Sequence, residues 1–313
     1  MHRHGYTVFT VLFLLLSTAA LGRVWQQTRP DWDWVALLLC VEQGAPDDGP
    51  DNKAQSAADT SETEGEPAIP PQEPEPQVLR YDFSQPAPQG EGVDNSYFQD
   101  AAFVGDSRTD GLLIYSGIGC GKNLTSNGLT IFQLAEKKAL KIDGQMYTLL
   151  EALALEQYAK VYFSLGINEL GYYDDEGFYR AYCRAIDEIR ALQPDAVIYI
   201  QGLIPLNEPA IAQSGGKDYL TNEHLRVFDG LMRKVAQEKQ VAFLDLYTEF
   251  ADETGALPDG VSRDGVHLRS EGCRQWLAYL QAHTVEFEAL YPDGVPQEEV
   301  VLPDGQQTGE IEQ

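Results

Sequence analysis

A serine, a histidine and an aspartate are the residues of this chain best placed to do chemistry. Ser107 follows an apolar run and a Gly-Asp pair (101–106) and precedes a helical pattern. A hydroxyl at a helix N-terminus lies beside free backbone N–H groups. Ser107 could therefore attack a carbonyl carbon while its own N–H holds the resulting oxyanion. Taken alone, an Asp106-Ser107 pair would more often simply cap the helix.

Asp264 and His267 lie 157 and 160 residues beyond Ser107, three residues apart on a short Asp-Gly-Val-His segment. An aspartate so placed before a histidine on a tight loop can accept a hydrogen bond from imidazole Nδ1, which leaves Nε2 facing a hydroxyl. The spacing predicts a Ser-His-Asp relay in which the base and the acid that orients it come from the same loop.

Alternating strand and helix patterns between residues 94 and 290 indicate how these groups could meet. Apolar strand-like runs occupy 102–105, 160–165, 196–200 and 241–246, and helical patterns occupy 147–155, 178–192, 220–239 and 270–284. Such alternation predicts a parallel sheet covered by helices on both faces. Ligands of these sheets bind beyond the carboxyl ends of the strands. Ser107 follows the first run, and Asn168 follows the second.

Taken together, these segments resemble the SGNH (GDSL-type) hydrolase family. Gly105-Asp106-Ser107 matches its first block, Gly128 stands for the second-block glycine, Gly166-Ile167-Asn168 matches the third, and Asp264-Gly265-Val266-His267 matches the fifth. The resemblance covers about residues 94–285. Gly117, Gly119 and Gly121 also lie near the second-block position.

The resemblance implies a three-layer α/β/α sandwich with a flavodoxin-like parallel sheet. It implies Ser107 as nucleophile, His267 as general base and Asp264 as the orienting carboxylate. The oxyanion hole would comprise the Ser107 N–H, the Gly128 N–H and the Asn168 side-chain amide. No metal and no organic cofactor are implied.

Two positions depart from the family pattern. Arg108 replaces the leucine of the GDSL motif, and Glu169 stands where the third block often has aspartate. Neither position carries the predicted proton transfer. Arg108 is a candidate for contact with the substrate.

Five segments of different composition are predicted along the chain. They are a signal peptide or membrane anchor (1–25), a juxtamembrane segment (26–43), an acidic Pro-rich disordered linker (44–93), the SGNH-like hydrolase domain (94–290) and an acidic disordered tail (291–313). The apolar run 8–22 suits either a secretory signal or a short anchor. We therefore expect an extracytoplasmic protein, secreted or held at the membrane, and both outcomes stay open.

Charge and cysteine content narrow the classes of partner. The formal net charge is −27, of which residues 44–78 and 286–313 together carry −16. This acidic balance argues against nucleic acid as a partner, because phosphates would be repelled. The four cysteines are scattered without metal-ligand spacing and leave the redox compartment undecided.

The sequence thus predicts an exported serine esterase. It would remove a short-chain acyl group, such as acetyl, from a small-molecule or carbohydrate ester. Two alternatives stay open. One is an acyltransferase on the same fold that moves the acyl group to a cell-envelope sugar, and the other is a surface binding module without turnover. Membrane association through the N-terminal segment is compatible with all three, and the oligomeric state is not predicted.

Overall fold

A five-stranded parallel sheet forms the centre of the computed structural model, which describes residues 80–296. Its strands are β1 (Ala101–Gly105), β2 (Lys122–Thr125), β5 (Lys160–Ser164), β6 (Val197–Gln201) and β7 (Ala242–Leu244). A separate antiparallel pair consists of β3 (Leu140–Ile142) and β4 (Gln145–Tyr147). The spatial order of the sheet is β2-β1-β5-β6-β7. Counted along the chain, this is the flavodoxin-like order 2-1-3-4-5.

Helices cover both faces of this sheet. They are α1 (Ser107–Tyr115), α2 (Leu149–Leu153), α3 (Asp175–Leu192), α4 (Glu208–Gln213), α5 (Asn222–Glu238), α6 (Leu246–Phe250), α7 (Ser270–Ala282) and α8 (Phe287–Leu290). Short 3-10 helices occupy Asn95–Phe98, Ile131–Gln133 and Ile167–Glu169. Within residues 80–296, no helix has the length and apolar character needed to cross a bilayer.

Two apolar clusters fill the space between the sheet and its helices. Helices α2, α3 and α5 pack on one face of the sheet, and α1, α6 and α7 pack on the other. Because β1, β5 and β6 are buried on both faces, their sequences are continuous apolar runs instead of alternating ones. The result is the three-layer α/β/α sandwich that the sequence predicted.

An aromatic ladder fixes the register of the three central strands. Phe103, Tyr162 and Tyr199 are aligned partners on β1, β5 and β6. The Phe103 and Tyr162 rings stack at 5.0 Å between centroids, and the Tyr162 and Tyr199 rings stack at 4.6 Å. A one-residue slip would turn each ring to the opposite face of the sheet. The ladder therefore holds the carboxyl ends of these strands level.

The first strand after α1 is where the sequence prediction was wrong. None of the predicted strand-like runs includes the segment around Asn123, but it forms β2 and pairs with β1. Only Leu124 of this edge strand is buried, so no apolar run marks it. The predicted helix 147–155 is also shorter, because Tyr147 ends β4 and the helix α2 ends at Leu153.

The folded part of the chain begins earlier than the predicted boundary at residue 94. Backbone hydrogen bonds join Ala87 to Phe243 and Gly90 to Ala282, so the last part of the predicted linker 44–93 packs on the domain. At the other end, Tyr291 is buried and its ring stacks on Phe83, although the tail was predicted from residue 291. Apolar side chains scattered in acidic sequence account for both differences. The predicted segments 1–25 and 26–43, residues 44–79 of the linker and residues 297–313 of the tail lie outside the described residues.

Gly105 ends β1 at a place where no side chain fits. A Cβ there would lie 2.3 Å from Thr109 Oγ1 and 2.7 Å from the Ser164 carbonyl oxygen. The turn that carries Ser107 therefore lies directly against the end of β5.

We predict that Gly105→Ala lowers the free energy of unfolding by about 1–3 kcal/mol, because backbone must move to accommodate the methyl group. Gly230→Ala is the matched control. Gly230 lies in α5, where an added Cβ would have no atom within 4 Å, so this change should raise stability by about 0.4–1 kcal/mol. Urea unfolding of both variants measures the effects, and equal stability of the two would contradict the prediction.

Candidate active site

Ser107 is the first residue of α1, directly beyond β1. Asp106 caps this helix, since its Oδ1 accepts the Arg108 N–H at 2.9 Å. The backbone N–H of Ser107 has no acceptor among the described residues. This leaves one donor free at the position where an oxyanion would form.

The structure brings the three predicted relay residues into hydrogen-bond contact. Ser107 Oγ lies 2.9 Å from His267 Nε2, and His267 Nδ1 lies 2.8 Å from Asp264 Oδ2. With the imidazole proton placed on Nδ1, Nε2 accepts the hydrogen bond from the serine hydroxyl. This geometry suits general-base activation of a nucleophile.

Asp264 is fixed by its own loop as well as by the imidazole. Its Oδ1 accepts the N–H groups of Val266 at 3.0 Å and His267 at 2.8 Å. Partial burial raises the pKa of this carboxyl, but the hydrogen bonds donated by His267 and Val266 outweigh that effect and lower the pKa to about 2. Asp264 is therefore a carboxylate at neutral pH.

Ser262 braces the same loop and was not singled out from the sequence. Its hydroxyl accepts the Gly265 N–H at 2.8 Å and donates to the His267 carbonyl at 2.9 Å. Its proximity to the Asp264 motif was the only signal in the sequence.

The other predicted oxyanion donors lie on two separate segments. Gly128, with φ +69°, occupies the third position of a turn closed by the Leu129 N–H and the Ser126 carbonyl. A positive φ at that position is typical of glycine in a type II turn. The Gly128 N–H has no acceptor among the described residues.

The Asn168 side chain connects the segment of the first block with that of the second. Its Nδ2 donates to the Leu129 carbonyl at 3.0 Å and to Asp106 Oδ2 at 3.3 Å. An oxyanion would compete with Asp106 for the N–H of the longer contact. The structure thus places Asn168 between the first and second blocks, with both of its N–H groups already engaged.

Three buried ionisable groups, Asp106, Arg108 and Glu169, lie beneath the site. Burial raises the pKa of Asp106 to about 6 and that of Glu169 to about 8, and burial lowers the pKa of Arg108 to about 10. Arg108, a candidate for contact with the substrate, is buried, and its guanidinium donates from Nη2 to the Ile204 carbonyl at 2.9 Å. That carbonyl is 96 residues away in sequence, so no local pattern indicated it. Arg108 also lines the cavity beside Ser107, so its contact with the substrate stays a prediction.

A cavity of about 210 Å³ opens beside Ser107 and His267. Its lining includes Asp110, Ile114, Tyr115, Asn127 and Arg263, none of which was predicted from the sequence. The Arg263 guanidinium lies 5.7 Å from the centre of the Tyr115 ring. The cavity therefore combines charged, amide and apolar side chains.

Metal-ligating residues are not clustered in the part of the chain that the structure describes. Within residues 80–296 no three His, Cys, Asp or Glu side chains are grouped so that they could hold a metal ion. Cys120, Cys183 and Cys273, the cysteines in that range, are free thiols.

Similarity to known proteins covers most of the described domain. The model of the GDSL-like lipase/acylhydrolase family matches residues 103–275. A search of curated proteins returns no significant match.

Three similar solved structures have names that refer to ester hydrolysis. A GDSL-like lipase from Bacteroides thetaiotaomicron is 14% identical with a TM-score of 0.43, over 60% of this chain and 88% of that one. A peptidoglycan O-acetylesterase is 20% identical (TM-score 0.39, 51% and 45% covered). An acetyl xylan esterase is 15% identical (TM-score 0.41, 59% and 99% covered).

The family model spans more than half of the chain. The matched residues begin within β1 and end within α7, so they include the sheet and every predicted relay residue. The chain belongs to the GDSL-like lipase/acylhydrolase family and is an ester-hydrolysing enzyme.

Proposed function

We propose that this protein is a serine esterase in which Ser107, His267 and Asp264 carry out acyl transfer to water. The observation that supports this most directly is the continuous pair of hydrogen bonds from Ser107 Oγ to His267 at 2.9 Å and from His267 to Asp264 at 2.8 Å. A helix-capping role for Ser107 alone would not require an imidazole at its hydroxyl.

The reaction follows from these contacts in two balanced steps. As Ser107 Oγ bonds to the ester carbonyl carbon, its proton passes to His267 Nε2, which then gives it to the departing alcohol oxygen as the ester C–O bond breaks. A water molecule next attacks the acyl-serine, His267 takes the water proton, and the acid leaves as that proton returns to Ser107. Asp264 remains ionised and stabilises the imidazolium in both steps.

The charge on the tetrahedral intermediate would be held by the free N–H groups of Ser107 and Gly128 and by the Asn168 amide. Preorganised donors of this kind typically contribute about 2.7–4 kcal/mol each to lowering the barrier. The Asn168 N–H would exchange Asp106 for the oxyanion. Because that contact is 3.3 Å long, little hydrogen-bond energy is lost in the exchange.

A short acyl group fits the cavity best. The cavity volume of about 210 Å³ lies below the roughly 300–1,000 Å³ of sites for drug-sized ligands. Asp110 and Arg263 both line it, and burying a long alkyl chain against these charged groups would be unfavourable. We therefore propose acetyl or a similarly short chain, on a small-molecule or carbohydrate alcohol.

Action outside the cytoplasm is proposed from the N-terminal sequence. The apolar run 8–22 and the acidic Pro-rich stretch that follows suit a domain held away from a membrane or secreted. Fusion of residues 1–79 to alkaline phosphatase tests export. A fusion without activity in the periplasm or at the cell exterior would reject this part of the proposal.

Replacing the nucleophile gives the most direct test of activity. We predict that residues 80–296 hydrolyse p-nitrophenyl acetate faster than the octanoate ester and that Ser107 is labelled by a fluorophosphonate. Ser107→Ala should abolish labelling and lower kcat by a factor on the order of 10⁶. Ser84→Ala, which changes a serine far from α1 in sequence, should retain full activity, and hydrolysis that survives Ser107→Ala would reject the proposal. Product analysis with and without an acceptor sugar separates hydrolysis from acyl transfer.

Replacing Asp264 tests the orienting role separately. We predict that Asp264→Asn lowers kcat by a factor on the order of 10⁴, because the amide can no longer hold the Nδ1–H tautomer of His267. The KM should change little, since Asp264 does not line the cavity. An equal loss of kcat in Asp259→Asn, a control aspartate bonded to Asn207, would show that the effect is not specific to the relay.

A further inference from the structure

Glu169 is a buried carboxyl next to Asn168 that the proposed reaction does not use. Glu169 is only 2% exposed to solvent. Oε1 accepts the Ile131 N–H, whereas Oε2 has no partner within the described residues. Burying a carboxyl with one unpaired oxygen lowers stability. Glu169 nevertheless lies beside the site, where its hydrogen bond to Ile131 can hold backbone in place.

The Ile131 contact closes a two-way brace between the second and third blocks. Asn168 Nδ2 donates from the third block to the Leu129 carbonyl, and Glu169 accepts from the Ile131 N–H in the opposite direction. Gly128 is the residue just before this braced segment. The two hydrogen bonds therefore fix the position of the Gly128 turn relative to the Asn168 amide.

The protonation state of Glu169 bears on the same geometry. Burial and the neighbouring Asp106 raise its pKa to about 8, against the lowering effect of backbone N–H groups at Ile131, Glu169 and Asn168. Tyr182 also faces it, and Arg108 faces Asp106. Glu169 is thus mainly neutral at pH 7. A neutral carboxyl accepts the Ile131 N–H without adding a second negative charge beside the developing oxyanion.

We propose that Glu169 is a positioning residue: by holding the Ile131 N–H it sets the distance between the oxyanion donors on the Gly128 turn and on Asn168. The inference rests on the proposed esterase function for its kinetic readout, but the brace itself is a property of the fold. It acts through Gly128 and Asn168 and does not touch the substrate.

Two substitutions at Glu169 separate bracing from charge. Glu169→Gln keeps an oxygen acceptor of the same length, so kcat at pH 7 should stay within about twofold of the parent. Glu169→Met fills the space but removes the acceptor. It should lower kcat by roughly tenfold to a hundredfold at nearly unchanged KM, as expected when transition-state donors are misplaced.

Gln193→Met is the matched control for loss of a buried brace. Gln193 is also buried, accepts the Tyr158 N–H at 2.9 Å and donates to the Leu153 carbonyl at 2.8 Å, but these contacts precede β5 and β6, at the amino ends of the strands. This control should lower the melting temperature and leave kcat unchanged. If Glu169→Met behaves in the same way, Glu169 has only a structural role and the proposal is overturned.

The pH dependence supplies a second readout with a defined sign. Below pH 8 the folded parent holds a proton on Glu169 that the unfolded chain releases above its ordinary pKa of 4.5. The stability of the parent should therefore fall relative to that of Glu169→Gln as pH rises from about 4.5 to about 8, and then level off. The kcat of the parent should likewise fall relative to Glu169→Gln above about pH 8. Parallel profiles would contradict a neutral Glu169.

Amide hydrogen exchange keeps the test independent of catalysis. Exchange over residues 127–131 should be faster in Glu169→Met than in the parent, Glu169→Gln or Gln193→Met. An inactive parent would reject the esterase proposal, and these exchange rates would still decide whether Glu169 holds the turn. If Glu169→Met does not fold, Glu169→Asp, which is shorter by one methylene, gives the same comparison. Unchanged exchange there would overturn the proposal.

Discussion

The parallel pairing of β1 with β5 is the constraint on which the site depends. Gly105 and Ser164 are paired at the carboxyl ends of these strands, at the point where the strand order reverses. The chain then leaves β1 into α1 on one face of the sheet, and leaves β5 into a segment packed on the other face. A crevice is unavoidable between two such exits. Ser107 lies on one side of this crevice and Asn168 on the other, so the pairing of β1 with β5 sets the distance between them.

The floor of this crevice is polar, which is unusual for the interior of a sheet. Asp106, Arg108 and Glu169 are all buried there, and each holds backbone from a different segment: the start of α1, the Ile204 carbonyl and the Ile131 N–H. Arg108 Nη1 and Glu169 Oε2 have no partner within the described residues, so the network is incompletely satisfied and lowers stability. An apolar floor would be more stable, but apolar side chains could not tie three loops together at fixed distances. The polar floor therefore lowers stability but fixes the positions of the proposed oxyanion donors above it.

Much of this arrangement could be predicted from the sequence, and the exceptions have two causes. Strands β1, β5 and β6 are apolar runs, and the rule that parallel strands end at one edge predicted that Ser107 and Asn168 share that edge. The contact between Ser107 and His267 was predicted from the Asp-Gly-Val-His spacing together with the family resemblance. Strand β2 was missed because an edge strand needs no apolar run. The burial of Arg108 and the engagement of Asn168 by Asp106 and Leu129 were also missed. These features depend on partners from distant segments, and no local periodicity records such pairings.

The proposed base, His267, and its orienting acid, Asp264, differ from the proposed nucleophile, Ser107, in how they are held. Gly265, with φ +90°, packs so closely that a Cβ would lie 2.4 Å from the Asn207 carbonyl oxygen, and its own carbonyl accepts the Asn207 N–H at 3.0 Å. The loop of Asp264 and His267 is thus docked on the start of α4, beyond β6, with Ser262 bracing it from within. It is a unit with its internal geometry already complete. The hydrogen bond between Ser107 and His267 then joins two separately fixed units, and in the proposed reaction it is also the path of the proton. This separation explains how one four-residue segment, 264–267, can supply two of the three residues of the proposed relay. The fold has only to place this loop beside Ser107, because the loop's own hydrogen bonds already orient the imidazole.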